Sequence, residues 1–215
     1  MAKKLTLNNL EIFLLPQKAV YIPHYAMLIV SDWHLGKLTH FRKEGLFVPP
    51  PQIRHELDML GELMQEVPTK KVVFLGDLFH SDWNADWTEL ISYLSNFPHI
   101  DFVLTKGNHD ILPDDIWQKS TVIRQKDKLI LAEGLVLSHE PVADLPEHMF
   151  NLVGHIHPGC VIETKGRQSF RLPCFYLKNK QLTLPAFGKY TGLRIISKEV
   201  DTQIFAIVND AVIEA

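Results

Sequence analysis

The sequence predicts an α/β fold of two stacked mixed sheets, and three observations carry that expectation. Up to about residue 107 short apolar runs alternate with amphipathic segments, in the order strand, helix, strand, helix, strand. That alternation is the pattern of a partly parallel sheet with helical cover. The remaining half is rich in strands, and a helix-covered half followed by a strand-rich half suits two stacked mixed sheets better than one doubly wound sheet. Finally, Asp32, Asp77, Asn108, His139 and His155 each fall just past the last residue of an apolar run. Ligands of open α/β sheets bind outside the carboxyl ends of strands, so these strand ends point to one shared site.

Taken in order, Glu11–Leu14, Lys18–Tyr21 and Ala26–Val30 read as the first strands. Pro49-Pro50-Pro51 reads as a rigid lead into a helix, because proline in the first turn has no hydrogen bond to lose. Ile53, Leu57, Leu60 and Met64 then form one apolar stripe at helical spacing, with His55 and Glu56 off the stripe and read as solvated. Lys71–Leu75 is a short apolar strand closed by Gly76. A helix around Thr88–Ser95 leads to the strand Asp101–Leu104, closed by Lys106-Gly107. Beyond it come Lys128–Ala132, Leu135–Ser138, Asn151–Val153, Ser169–Leu172, Phe175–Leu177, Gln181–Leu184 and Ile204–Val208. Trp83, Trp87 and Trp117 read as core or rim anchors.

No internal repeat, low-complexity tract or Gly/Ser linker interrupts the chain, so residues 1–215 read as one domain. Hydrophobic residues make up 46% and charged residues 22%, which excludes a disordered tail protein. The longest apolar runs are too short to span a bilayer, and Asn8-Asn9 interrupts any apolar signal core. With Cys160 and Cys174 read as reduced thiols, the expected compartment is the cytoplasm, with no membrane partner. A net charge of −3 means that nucleic acid, if bound, must be held by a local basic patch.

The motifs are Asp32-Trp33-His34, Gly76-Asp77, Gly107-Asn108-His109-Asp110, Ser138-His139 and Gly154-His155-Ile156-His157. In extended backbone residues i and i+2 point the same way, so Asp32 and His34 are expected to reach one ion, and His155 and His157 to face one pocket. Asp32-x-His34 alone reads equally as a helix cap; the ordered set at strand ends is far more specific. Carboxylate, imidazole and one amide oxygen, without thiolate, suit manganese, iron or zinc in an open catalytic site.

In order and spacing these motifs resemble the calcineurin-like metallophosphoesterases, from about Leu28 to His157. The resemblance implies a four-layer α/β/β/α sandwich. It also implies two divalent ions (manganese foremost, with iron, zinc or magnesium as alternatives). Asp32, His34, Asp77 and His157 would hold one, and Asp77, Asn108, His139 and His155 the other, with Asp77 bridging. Two such ions about 3.5–4 Å apart can share a hydroxide nucleophile and polarise phosphoryl oxygens. His109 matches the family histidine near the leaving oxygen, a general acid or charge stabiliser. Asp110 either supports the ligands or caps the following turn.

Gly76-Asp77-Leu78-Phe79-His80 looks like the nuclease subunit of the double-strand-break repair complex, which makes His80 either a second imidazole near the scissile phosphate or a surface helix cap. The string Asp32-Trp33-His34-Leu35-Gly36-Lys37, running into His40-Phe41-Arg42-Lys43-Glu44-Gly45, resembles the ligase-associated DNA damage response endonucleases (the PdeM type), as does Leu184-Pro185-Ala186-Phe187-Gly188. Lys37, His40, Arg42 and Lys43, with Phe41 for stacking, supply what a nucleic-acid channel needs. The other reading of that segment is a solvated amphipathic stretch. A second loose basic set is Lys165, Arg167 and Arg171 with Lys178 and Lys180; Lys189, Tyr190 and Arg194 line the site if their loop folds back.

The leading expectation is therefore a two-metal phosphodiesterase cutting DNA, single-stranded or damaged, in a repair setting. A ligase or helicase partner is implied by the resemblance alone. The alternatives are a small-molecule phosphodiesterase or phosphomonoesterase with the same ions, and a non-enzymatic scaffold of the retromer type.

Overall fold

A computed structural model describes residues 1–48, 53–80, 85–164, 166 and 168–215, with the backbone alone of Asp114, Gln118 and Lys119. Pro49-Pro50-Pro51, Trp83, Lys165 and Arg167 lie outside the described residues.

The chain opens with β1 (Lys3–Leu7), β2 (Leu10–Leu15), β3 (Ala19–Ile22) and β4 (Met27–Ser31), joined as an antiparallel meander. It continues through α1 (Lys37–Lys43), α2 (Ile53–Glu66), β5 (Lys71–Leu75), α3 (Ala85–Leu94), β6 (Asp101–Thr105), α4 (Asp114–Lys119) and β7 (Ile123–Lys126). Helical crossovers allow β4, β5, β6 and β7 to run parallel, which completes a mixed seven-stranded sheet. The second sheet holds β8 (Leu129–Ile130), β9 (Leu135–Leu137), β10 (Phe150–Val153), β11 (Pro158–Glu163), β12 (Ser169–Lys178), β13 (Gln181–Thr183), β14 (Arg194–Ile195), β15 (Thr202–Val208) and β16 (Ala211–Glu214). It too is mixed: β10 runs parallel to β9 and β13, while β12 is antiparallel to β11, β13 and β15.

Alternation along the strands builds the layers, because successive side chains leave a strand on opposite faces. On β5, Val72 and Phe74 join the cluster under the helices, with Leu57 and Leu60 of α2 and Trp87 and Leu90 of α3. Val73 and Leu75 turn the other way and meet Leu152, Phe175, Leu182 and Phe205 of the second sheet. Fully burying one such side chain is worth about 1.5–3 kcal/mol, and this inter-sheet layer fixes the two sets of strand ends against each other.

The expected α/β sandwich of two mixed sheets is thus present. Over the outer face of the second sheet, among the described residues, lies no helix; Cys160, Cys174, Tyr176, Ile204 and Ala206 form a small cluster there with Ile196. The cysteines are free thiols, as expected. Ser169–Leu172 and Phe175–Leu177, read as separate strands, are one strand: β12 pairs with β11 up to Pro173 and with β15 from Cys174, so the proline sits where partners change. The helical stripe of α2 lies as expected, and Trp87 and Trp117 are buried edge to face, with ring centroids 4.7 Å apart.

Candidate metal centre

Each proposed donor follows its strand directly: Asp32 after β4, Asp77 after β5, Asn108 after β6, His139 after β9 and His155 after β10. The loops are not extended as expected. Asp32, His34, Asp77, His155 and His157 all have φ between 48° and 72°, the left-handed region that costs a non-glycine residue about 1–3 kcal/mol. Such backbone persists where its surroundings over-determine it, and here the bonds are on view. Asp32 N–H donates to the Gly76 carbonyl (3.2 Å), His34 N–H to the Asp77 carbonyl (2.8 Å) and Leu35 N–H to the Leu78 carbonyl (3.0 Å). The i, i+2 argument assumed extended backbone, which these loops do not have.

The carboxylates are held from several sides. Asp32 accepts the His155 N–H at 3.1 and 3.0 Å on its two oxygens and the Ser31 hydroxyl at 2.6 Å, while Asp77 Oδ1 accepts the His109 N–H at 2.8 Å. Two glycines allow this density: a Cβ at Gly154 would sit 1.7 Å from Ser31 Oγ, and one at Gly76 2.3 Å from His139 Nδ1.

Two groups of donors result. Asp32, His34 and His157 offer ligand atoms all within 4.8 Å of one another, as do Asp32, Asp77 and His139. His34 Nε2 lies 3.2 Å from His157 Nε2 and 3.6 Å from Asp77 Oδ2; His157 Nε2 lies 3.3 Å from Asp32 Oδ1. On the other side of Asp77, His139 Nε2 is 3.5 Å from Asp77 Oδ2, 3.1 Å from Asn108 Oδ1 and 3.1 Å from His155 Nδ1. His157 thus stands in the first group and His155 beside His139 of the second. His139 Nδ1 is 2.9 Å from the Leu75 carbonyl; donating there leaves Nε2 as the lone-pair nitrogen. Burial holds the His34 imidazole far below its usual range, to about 2, reinforced by His157 and His80, so it too offers a lone pair. So many acceptors around two small volumes fit a pair of divalent cations.

The other expected site residues divide. His80 touches the back of His34 (Nδ1 to Nδ1, 3.0 Å), and its ring lies 4.4 Å from that of His109, whose side chain is exposed. Asp110, read as supporting the ligands or capping the following turn, is fully buried: its oxygens accept Phe79 N–H (3.1 Å) and Gly107 N–H (2.8 Å), which ties the loop after β5 to the loop after β6. Burial pushes its pKa up to about 6 against those two bonds. Its bonds are those of a residue that positions the two loops.

The basic segment Lys37 to Lys43 forms α1. Lys37 depresses the pKa of both His34 and His80, and the His40 ring lies 6.4 Å from that of His80, so both stand at the first donor group. Arg42 is engaged elsewhere, donating to the Val48 carbonyl (2.9 Å), and Lys43 points to solvent. Of the second basic set, Lys178 pairs with Glu199 (2.7 Å) and Lys180 reaches the Glu147 carbonyl, while Lys165 and Arg167 lie outside the described residues. The loop after Leu184 does fold back. Phe187 N–H donates to the Ser31 carbonyl (2.7 Å), and its ring packs edge to face on Trp33. Tyr190 lines a small cavity beside His34 and Lys37, whereas Arg194 bonds the His157 carbonyl through its backbone (3.0 Å).

Sequence reasoning missed Glu56. It is half-buried, accepts the Trp33 indole N–H at 2.9 Å, and so steadies the residue between Asp32 and His34. Its spacing from Ile53, one helical turn, was the available signal.

The profile of calcineurin-like phosphoesterases matches residues 26–192. The chain belongs to that family. Its members bind a dinuclear divalent metal site, and its chemistry is metal-dependent hydrolysis of phosphoesters. Among solved structures, Pseudomonas putida nuclease MPE is 26% identical over 100% of both chains, with a TM-score of 0.81. The Escherichia coli phosphoesterase Yfce is 14% identical, over 87% of this chain and 96% of that one, at a TM-score of 0.46. No curated protein matches the chain. No helix among the described residues is long and apolar enough to cross a membrane.

Proposed function

We propose that the chain is a two-metal phosphodiesterase that cuts DNA. The observation that carries the two-metal part is Asp77 Oδ2, 3.6 Å from His34 Nε2 and 3.5 Å from His139 Nε2, one carboxylate between two donor groups. Asp32, His34, Asp77 and His157 would hold one ion, and Asp77, Asn108, His139 and His155 the other. Bound ions would activate water and neutralise phosphoryl oxygens, and manganese suits the donors. His109, exposed beside the first group, is placed to protonate the leaving oxygen; His80 and Asp110 keep His34 and the two loops in register.

Three things support DNA as substrate: the likeness to a nuclease over both whole chains, the resemblance of the α1 string to repair endonucleases, and Lys37 and His40 beside the donors. On this reading the enzyme works in the cytoplasm, in DNA repair. The second reading, a small-molecule phosphodiesterase, draws on the net charge of −3 and on Arg42 being engaged by the Val48 carbonyl.

The test is turnover of single-stranded DNA, bis-p-nitrophenyl phosphate and p-nitrophenyl phosphate by protein loaded with manganese, zinc or magnesium. Cleavage of DNA and the diester is expected, with both turnover and bound metal lost in Asp77→Ala. Diester turnover without DNA cleavage would select the second reading, and silence on all three would sink the enzyme.

A further inference from the structure

The second donor group opens into a groove of about 480 Å3 lined by Asn108 and His139, and also by Lys106, Lys128, Asp127 and Glu140. The sheet itself brings the two lysines together. Lys106 N–H donates to the Lys126 carbonyl (3.1 Å), which prolongs the parallel β6–β7 ladder past Thr105 and sets residue 106 beside the turn that carries Lys128. Both lysines are exposed, and among the described residues neither ammonium is in an ion pair. Of the two carboxylates in the groove, Glu140 lies 3.9 Å from His155 Nδ1, directed at an imidazole and not at a lysine.

Lysines therefore stand at both donor groups: Lys37 at the first, Lys106 and Lys128 at the second. A lone phosphoester would be neutralised by the metal centre itself. Unpaired ammonium groups on either side of it match a polyanion with phosphates flanking the scissile one. We propose that Lys106 and Lys128 bind the phosphate next to the scissile phosphate, so that a single strand runs from α1 across the donors into this groove. The assignment rests on the nucleic-acid reading above.

Lys106→Gln/Lys128→Gln tests it on the metal-loaded protein, with a single-stranded oligonucleotide and bis-p-nitrophenyl phosphate as substrates. Lys4→Gln/Lys70→Gln makes the same charge change away from the site, Lys70 standing at the amino end of β5. Each single-strand phosphate contact contributes about 0.7 to the slope of log affinity against log salt. Loss of that one contact should lower the slope by about 0.7 and raise the oligonucleotide KM roughly fourfold at 0.15 M salt, with turnover of the diester unchanged. Oligonucleotide KM and slope equal to those of the control pair would overturn the assignment, as would an equal loss on the diester, which would mean damaged donor geometry. A wild-type protein that hydrolyses the diester and leaves the oligonucleotide intact would remove the nucleic-acid reading and this groove with it.

Discussion

His109 serves the centre twice, by separable parts. Its backbone N–H fixes Asp77 Oδ1 at 2.8 Å, while its imidazole stays exposed beside His80. Removing the ring leaves the N–H in place, so His109→Ala should keep its metal. If the imidazole donates a proton, kcat should fall by about 10²–10⁴-fold. Metal analysis alongside single-turnover rates checks both halves; an unchanged rate removes the ring from the chemistry. The contrast with Asp110 is instructive, since the two residues are adjacent and both polar. Asp110 is buried, with each oxygen accepting a backbone N–H, so its carboxylate has no free approach to a substrate.

At the scale of elements, α2 does more than cover the sheet. Its Glu56 accepts the Trp33 indole, and Trp33 is further gripped by Phe187 and Phe74. Glu56→Gln keeps an acceptor oxygen and should unfold close to wild type in urea. Glu56→Ala leaves the indole N–H unmatched in a 2%-exposed residue, at a cost of about 1–3 kcal/mol, and should weaken metal binding with it. Equal unfolding midpoints for the two variants would show that the bond holds nothing. The same region marks the boundary of what the sequence discloses. Asp32, Asp77, Asn108, His139 and His155 were legible because apolar runs of period two or unbroken burial end just before them. The left-handed backbone of Asp32 and His34 was not, because it is imposed by carbonyls of the neighbouring β5 loop, a tertiary cause with no local signature. Strands β1, β7, β11, β14 and β16 also escaped notice. Residues such as Lys3, Arg124 and Glu214 are polar and lie on strands that owe their extended form to a neighbour across the ladder.

At the scale of the whole molecule, Asp32, His34, Asp77 and Asn108 come from loops of the first sheet, and His139, His155 and His157 from loops of the second. Ions held by these side chains would therefore clip one sheet to the other and bind the folded state alone. At a free metal concentration 100 times Kd each ion adds about 2.7 kcal/mol and the pair about 5.4 kcal/mol, which for a chain of this size is roughly 10–20 °C in Tm. Chelation should lower Tm by that amount, and manganese should restore it in the wild type and not in Asp77→Ala. A chelator-insensitive melting curve would argue against ions shared between the sheets.

The bond from His155 N–H to the Asp32 carboxylate joins residues 123 positions apart, and the Phe187 N–H to the Ser31 carbonyl reaches further still. A growing chain can therefore fix the backbone of Asp32 and His34 against the β5 loop, while their bonds to the second half wait through most of its synthesis. The β4–β7 half can form its parallel ladder early, yet the centre closes last, once the loop after β13 has emerged and folded back. Until then the ribosome-bound chain lacks a complete centre, and in a cell short of metal the finished halves would be joined by the inter-sheet apolar layer and these bonds without the ions.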